Sequence, residues 1–330
     1  MSDDPLPAIR LSLFGGTQIV PIPIPGEARA CNPSIAINGR GFCAIVRVVN
    51  YELSDAGVLI SLPGGREVSS NWLVEFDRNL NATASSRIDD EAARTGEQAF
   101  PGGFEDGRLF RWKSAWWFSA TVVVDFAPVR AKIVLCRLAG QRVTECYLME
   151  SPLGAAIEKD WMPFVDQDAL GWIYRISPTQ LMRHRDGEAP RYEQIGESGP
   201  LDGWFGSSQC VRYRGRWICV VHRRRHRPES VFYEHRFVEL TDDFRIRRVS
   251  SGWMFESPVV EFCAGLCISG RSVILSYGVL DRHARLMRIK LRHVERMLRS
   301  DLISRLLTKA SQNFGRWKKG RNLNKGAPVS

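Results

Sequence analysis

Residues 39–51 read GRGFCAIVRVVNY: a glycine turn, a run of aromatic and β-branched residues, then polar side chains. The same order returns in RLFRWKSAWWFSATVVVD (108–125), DALGWIYRI (168–176), YRGRWICVVHR (213–223) and SGRSVILSYGVLD (269–281). Short β-rich runs bounded by turn residues are strands. Their apolar centres, Ile45, Phe118, Ile173, Ile218 and Ile274, recur at steps of about 45–73 residues, near the roughly 40–50 of a propeller blade plus insertions. Weaker strands (NWLVEFD, KIVLCRL, VFYEHRFVEL, RIRRVSS) lie between them. The expectation is an all-β chain, a five-bladed β-propeller over residues 1–285. A pair of β-sandwiches is the alternative that spacing leaves open. The run ends favour the propeller. Arg47, Asp125, Arg175, His222 and Asp281 are all polar, and strands around one channel would gather them on one face.

After Asp281 the pattern changes. Apolar residues at Leu291, Val294, Leu298, Leu302 and Leu306 step by three and four, an amphipathic helix expected over 286–310. Residues 311–330 are basic and glycine-containing and read as a disordered tail. The formal net charge is +10, and fourteen Lys or Arg against two acids lie from Arg282 onward, so the tail carries the charge. A basic amphipathic helix can lie on the anionic inner face of a membrane or pack its stripe on the propeller; no recognition motif for a specific nucleic acid accompanies it.

The composition, 44% hydrophobic and 25% charged, excludes a wholly disordered chain. No run approaches a membrane span. MSDDPLPAIR lacks the basic start and apolar core of a signal peptide, and eight thinly spread cysteines read as buried free thiols. The expected location is cytoplasmic.

Chemistry concentrates in three places. In PGGFEDGRLF (101–110), Glu105, Asp106 and Arg108 precede the most aromatic strand. Acid, ion-pair partner and aromatic wall suit a sugar, although the same residues make an ordinary Asp-Gly turn. IEKDWMPF (157–164) brings Lys159 and Asp160 before an aromatic pair. Residues 220–240 offer His222, Arg224, His226, Tyr233 and His235. The arginines between His222 and His226 would repel a divalent cation, so no metal is expected, whereas a phosphate suits Arg, His and Tyr donors. Cys263 and Cys267 lack zinc spacing. There is no phosphate-binding glycine loop and no nucleophile elbow at Ser207.

NPSI (32–35), Arg47 with Asn50-Tyr51, GFEDGRLF, EKDWMPF, Arg175, VVHRR with Tyr233, and CAGLCISGRSVILSYGVLD together, over roughly residues 30–285, resemble the β-mannoside phosphorylases of glycoside hydrolase family 130 and related mannosyltransferase-like proteins. The resemblance implies a five-bladed propeller and an inverting phosphorolytic enzyme that uses inorganic phosphate as co-substrate and no cofactor. It implies that Asp106 is the general acid. Asn32, Arg47 and Asp281 would hold the sugar, with Asn50, Glu105 and Arg108 beside them. Lys159, Arg175, His222 and Tyr233 would bind phosphate. Two departures stand out: Gly107 replaces the family's proline, and insertions lengthen the stretch from Arg47 to Asp106. An inverting hydrolase needs a second carboxylate to activate water; phosphate is already a nucleophile, so one acid and a cationic cluster fit phosphorolysis. A mannosyltransferase using a sugar-phosphate or nucleotide-sugar donor, and a non-catalytic glycan-binding propeller, are the alternatives.

Overall fold

The computed structural model describes residues 9–95, 99–184 and 190–299. Each of the five recurrent runs contributes to a different sheet. Sheet I is Ala30–Asn38, Gly41–Val49, Ser69–Phe76 and Ala82–Arg87. Sheet II is Glu105–Trp112, Ala115–Phe126, Val129–Ala139 and Arg142–Leu148. Sheet III is Met162–Asp166, Ala169–Ile176, Thr179–His184 and Arg191–Gln194. Sheet V is Glu261–Ser269, Ser272–Val279 and His283–Lys290, completed by Gln18–Pro21 from the start of the chain. That last pairing ties the two ends of the ring together and covers what would be an open edge.

The expectation of five blades is corrected to four. The remaining unit, sheet IV, is seven-stranded. Its inner edge is split into Phe205–Gly206 and Val211–Tyr213 by Ser207, Ser208 and Gln209, which are buried and polar. Its long central strands, Arg216–Arg227 and Ser230–Leu240, carry a split outer edge, Ile246–Val249 and Trp253–Met254. Ile9–Arg10 adds to Trp253–Met254 in parallel. The arrangement is propeller-like, with unequal units.

Polar side chains stitch the inner strands together. Gln209 donates from Nε2 to Ile35 O (2.6 Å) and accepts from Leu266 N (3.1 Å), joining sheets IV, I and V. Ser34 Oγ accepts from Leu109 N and Ser276 Oγ from Ile35 N. These hydroxyls and amides satisfy backbone groups where inner strands are too far apart to form a ladder.

The helix expected from 286 begins at residue 291 and is followed as far as residue 299. Arg285 to Lys290 are strand instead, paired to Ser272–Val279 along their length and, from Arg285 to Arg288, to Gln18–Pro21 on the other side. Leu291, Val294 and Leu298 of the expected stripe are buried against the propeller; Leu302, Leu306 and the basic tail lie outside the described residues. Among those described, no helix is long and apolar enough to cross a membrane.

One buried acid makes the fold sensitive to pH. Glu261 accepts backbone N–H bonds from Phe255, Glu256 and Ser257 at 2.9–3.0 Å. Burial outweighs those donors and pushes its carboxyl from 4.5 up to about 7. A raised folded value means that Glu261 contributes stability at low pH that is lost as pH rises through about 7. In urea titrations at pH 4.5 and 8, the stability difference between wild type and Glu261→Gln should shrink by about 3 kcal/mol at the higher pH. A pH-independent difference would show that the carboxyl titrates normally.

Candidate functional site

Four polar residues at the inner edges hold left-handed backbone: Asn32 (φ 44°), Asp106 (48°), Asp160 (63°) and Asp281 (48°). Strand pairing slips at two of them, between Cys31 and Ser34 and around Asp106. Asn and Asp tolerate this region better than other non-glycine residues, and such strain concentrates where a side chain must be re-aimed. Here it brings Asn32, Asp106 and Asp281 together.

Asn32 Nδ2 donates to Asp106 Oδ1 (2.9 Å) and to Asp281 Oδ1 (3.2 Å). Tyr51 OH donates to Asp281 Oδ2 at 2.6 Å. Arg47, 4% exposed, donates to Asp106 Oδ1 (3.1 Å), lies 3.8 Å from Glu105 Oε2, and is fixed by Nε on Ser69 Oγ (2.7 Å). Two carboxyls thus flank one buried guanidinium, whose charge also reaches Asp281. Burial alone would raise Asp106, but Arg47, Arg108 and the Asn32 amide hold it below the usual carboxylate range. Burial raises Glu105 and Asp281, Arg47 opposes both shifts, and the Asp106 charge adds to both.

Arg108, 2% exposed, links this half to a second one. It donates to Asp106 O (2.8 Å), Asp160 Oδ1 (3.1 Å) and Ser207 O (3.1 Å), and lies 5.5 Å from the centre of the Phe262 ring. Beyond it, His222 packs on Tyr233 (5.2 Å) and Phe262 (5.0 Å). His222 Nδ1 lies 3.0 Å from Gly206 O. A carbonyl only accepts, so the Nδ1 proton is placed there and Nε2 is the acceptor of the neutral ring. Burial, with Arg108 and Lys159 nearby, lowers the His222 pKa. Lys159 is exposed, and its charge acts on both Glu105 and His222, which places it alongside the two halves.

Two residues expected here make no contact with the carboxylate cluster. Asn50 is committed to the insertion loop: its amide donates to Pro63 O and Arg66 O and accepts from Val68 N. It shapes the loop and does not reach the carboxylates. Arg175 is exposed, with its guanidinium over Tyr174 at 5.6 Å; Asp125 is exposed as well. The ladder slips immediately before each of them, and neither contacts the inner cluster, so the polar ends of the five runs do not all converge. His235 is fully buried against Trp253 and Phe255. Tyr51, Ser69 and Phe262, unassigned in the sequence, touch Asp281, Arg47 and Arg108 and join the candidate site; Tyr51 was legible only as the neighbour of Asn50. Among the described residues no group of three or more His, Cys, Asp or Glu is arranged to hold a metal ion.

No protein-family profile matches the chain, and no curated protein matches it by sequence. Solved structures do. A β-1,2-mannobiose phosphorylase from Listeria innocua, in complex with β-1,2-mannobiose, aligns with 87% of this chain and 94% of its own at 11% identity, TM-score 0.55. A mannose phosphorylase from Leishmania mexicana, in complex with phosphate ion, aligns over 80% and 85% at 14% identity, TM-score 0.51. A structure from the GH130 family of mannoside phosphorylases, described as containing hydrolases that target β-1,2-mannosidic linkages in Candida mannan, aligns over 80% and 85% at 10% identity, TM-score 0.52. At such identities the likeness is one of architecture: the chain shares the fold of the GH130 mannoside phosphorylases and their hydrolase relatives.

Proposed function

We propose that this chain is a carbohydrate-active enzyme of the mannoside phosphorylase type, cleaving or forming a β-mannosidic bond with inversion. The observation that carries the reading is the division of the site into a carboxylate half and a donor half joined by Arg108. Asp106 is the proton donor to the glycosidic oxygen. Asn32, Arg47 and Asp281 hold the sugar, with Glu105 beside them. Lys159, His222 and Tyr233 receive phosphate; the neutral His222 Nε2 accepts from the hydroxyl of a hydrogen phosphate while Lys159 and Tyr233 donate to its oxygens. Arg175 stands outside this set.

The spacing of Asp106 and Asp281 does not suit a water-activating pair of the inverting type. Asp106 and Asp281 share one amide donor, which keeps those two oxygens within about 6 Å, less than the roughly 6.5–9.5 Å an inverting hydrolase leaves for water. The structures named above are phosphorylases and hydrolases, which lend the nucleotide-sugar alternative no support. The β-1,2-mannobiose bound by the Listeria enzyme is the first substrate to try.

The test is product analysis on β-1,2-mannobiose with and without inorganic phosphate. The expected result is α-mannose 1-phosphate, formed only with phosphate, and a loss of about 10²-fold or more in kcat/KM in His222→Ala. Free mannose released without phosphate would make the protein a hydrolase. No product under either condition, with other β-mannosides also inert, would leave a binding protein.

A further inference from the structure

Cys136 and Cys146 occupy directly opposed positions on the antiparallel strands Val129–Ala139 and Arg142–Leu148 of sheet II. Their sulfurs are 3.2 Å apart. Opposed residues in such a ladder have Cα atoms about 4.5–5.5 Å apart, inside the roughly 4.4–6.8 Å that a disulfide spans. Closing the bond therefore requires rotation about side-chain torsions and little backbone movement.

Access singles out the same pair. Of the eight cysteines, seven are buried and only Cys146 is part-exposed. Its neighbours in the strand are polar and solvated: Glu145 accepts from Arg137 and from Tyr147 OH. Cys136 is fully buried behind it, packed among Phe118, Val134 and Leu138. The hydrogen bond from Cys136 lowers the Cys146 pKa, while burial raises that of Cys136. Reactivity follows thiolate character and exposure, so the outer thiol is the one to react first and the inner one is placed to resolve it.

We propose that Cys136 and Cys146 form an oxidative modification site at which a hydroperoxide arriving at Cys146 closes a disulfide between the two strands. The Cys146 thiolate attacks one peroxide oxygen; the O–O bond breaks, water or an alcohol leaves, and Cys146 becomes a sulfenic acid. Cys136 sulfur then attacks Cys146 sulfur, the S–S bond forms, and the sulfenic hydroxyl leaves as water with the Cys136 proton. Two thiols supply two electrons and the peroxide takes both. The site is independent of the proposed carbohydrate chemistry.

Cys210 and Cys219 provide an internal control. They interact across sheet IV in the same way, next to the paired Val211 and Ile218, but both are buried. The full chain, treated briefly with hydrogen peroxide at a small molar excess, should be denatured, alkylated and mapped by mass spectrometry. Expected is a loss of about 2 Da, a cross-link joining residues 136 and 146, and its reversal by dithiothreitol. Cys210 and Cys219 should stay reduced. In Cys136→Ser the cross-link should be replaced by oxygen addition at Cys146, and in Cys146→Ser no thiol should be consumed at that dose. Eight surviving thiols in the wild type, a cross-link elsewhere, or accumulation of sulfinic acid at Cys146 would each overturn the proposal.

Discussion

Replacing Asp106 by Asn is expected to lower kcat/KM on β-1,2-mannobiose by about 10²- to 10⁴-fold, the range contributed by a positioned proton donor. The loss should be far smaller on an aryl β-mannoside whose leaving group needs no proton. The substitution is nearly isosteric, and an amide oxygen can still accept from Asn32 and Arg47, so folding should survive. The free protein holds Asp106 below the usual range, between two acids pushed above it. A general acid must instead be protonated. Phosphate bound as proposed would resolve the conflict, because a dianion beside Asp106 disfavours a second negative charge and raises its pKa. The rate at saturating phosphate should accordingly fall as pH rises. It should do so through a value above the pKa of Asp106 in the free protein. Equal losses on both substrates would make Asp106 a positioning residue and shift proton donation to Glu105 or Asp281.

What was legible in the sequence follows from burial. Gly41–Val49, Ala169–Ile176 and Ser272–Val279 are second strands, covered on both faces, and read as near-continuous apolar runs. Outer strands such as Ala82–Arg87 and Arg191–Gln194 are largely exposed and carry no apolar signature. Sheet IV defeated the count of blades because its irregularity comes from pairing: a hydrogen-bonding break at Ser207–Gln209 and a strand borrowed from residues 9–10. The carboxylate half of the site was readable because each member sits in a short motif beside a turn. Tyr51 and Phe262 were not, since each matters through a contact made across sheets, and Ser69 matters through a bond to Arg47 on the neighbouring strand. Asn50 shows the converse. A residue at the right place in a motif reaches the site only if the pleat and the neighbouring loop aim it there.

Arg108 is where fold and site depend on the same atoms, and Arg108→Met should cost about 3–5 kcal/mol of stability, the range for removing one partner of a buried ion pair. The cost has three sources. Asp160, nearly buried, loses its guanidinium at 3.1 Å. Ser207 O and Asp106 O, on the inner edges of sheets IV and II, lose charge-assisted donors. The methionine replaces the hydrocarbon stem but not the planar head over Phe262. A melting temperature lower by roughly 5–15 °C is the expected reading. Arg108→Lys should recover little, because a single ammonium cannot span donors aimed in three directions. The decisive comparison is the double variant Arg108→Met with Asp160→Asn. If the uncompensated Asp160 charge is the main loss, the second substitution should restore stability relative to Arg108→Met alone, although it harms the wild type. Activity should stay low in both variants, because Asp106 has lost the bond that holds its strained backbone in place. Additive losses in the double variant would mean that the two carbonyls, and not the ion pair, are what Arg108 chiefly serves.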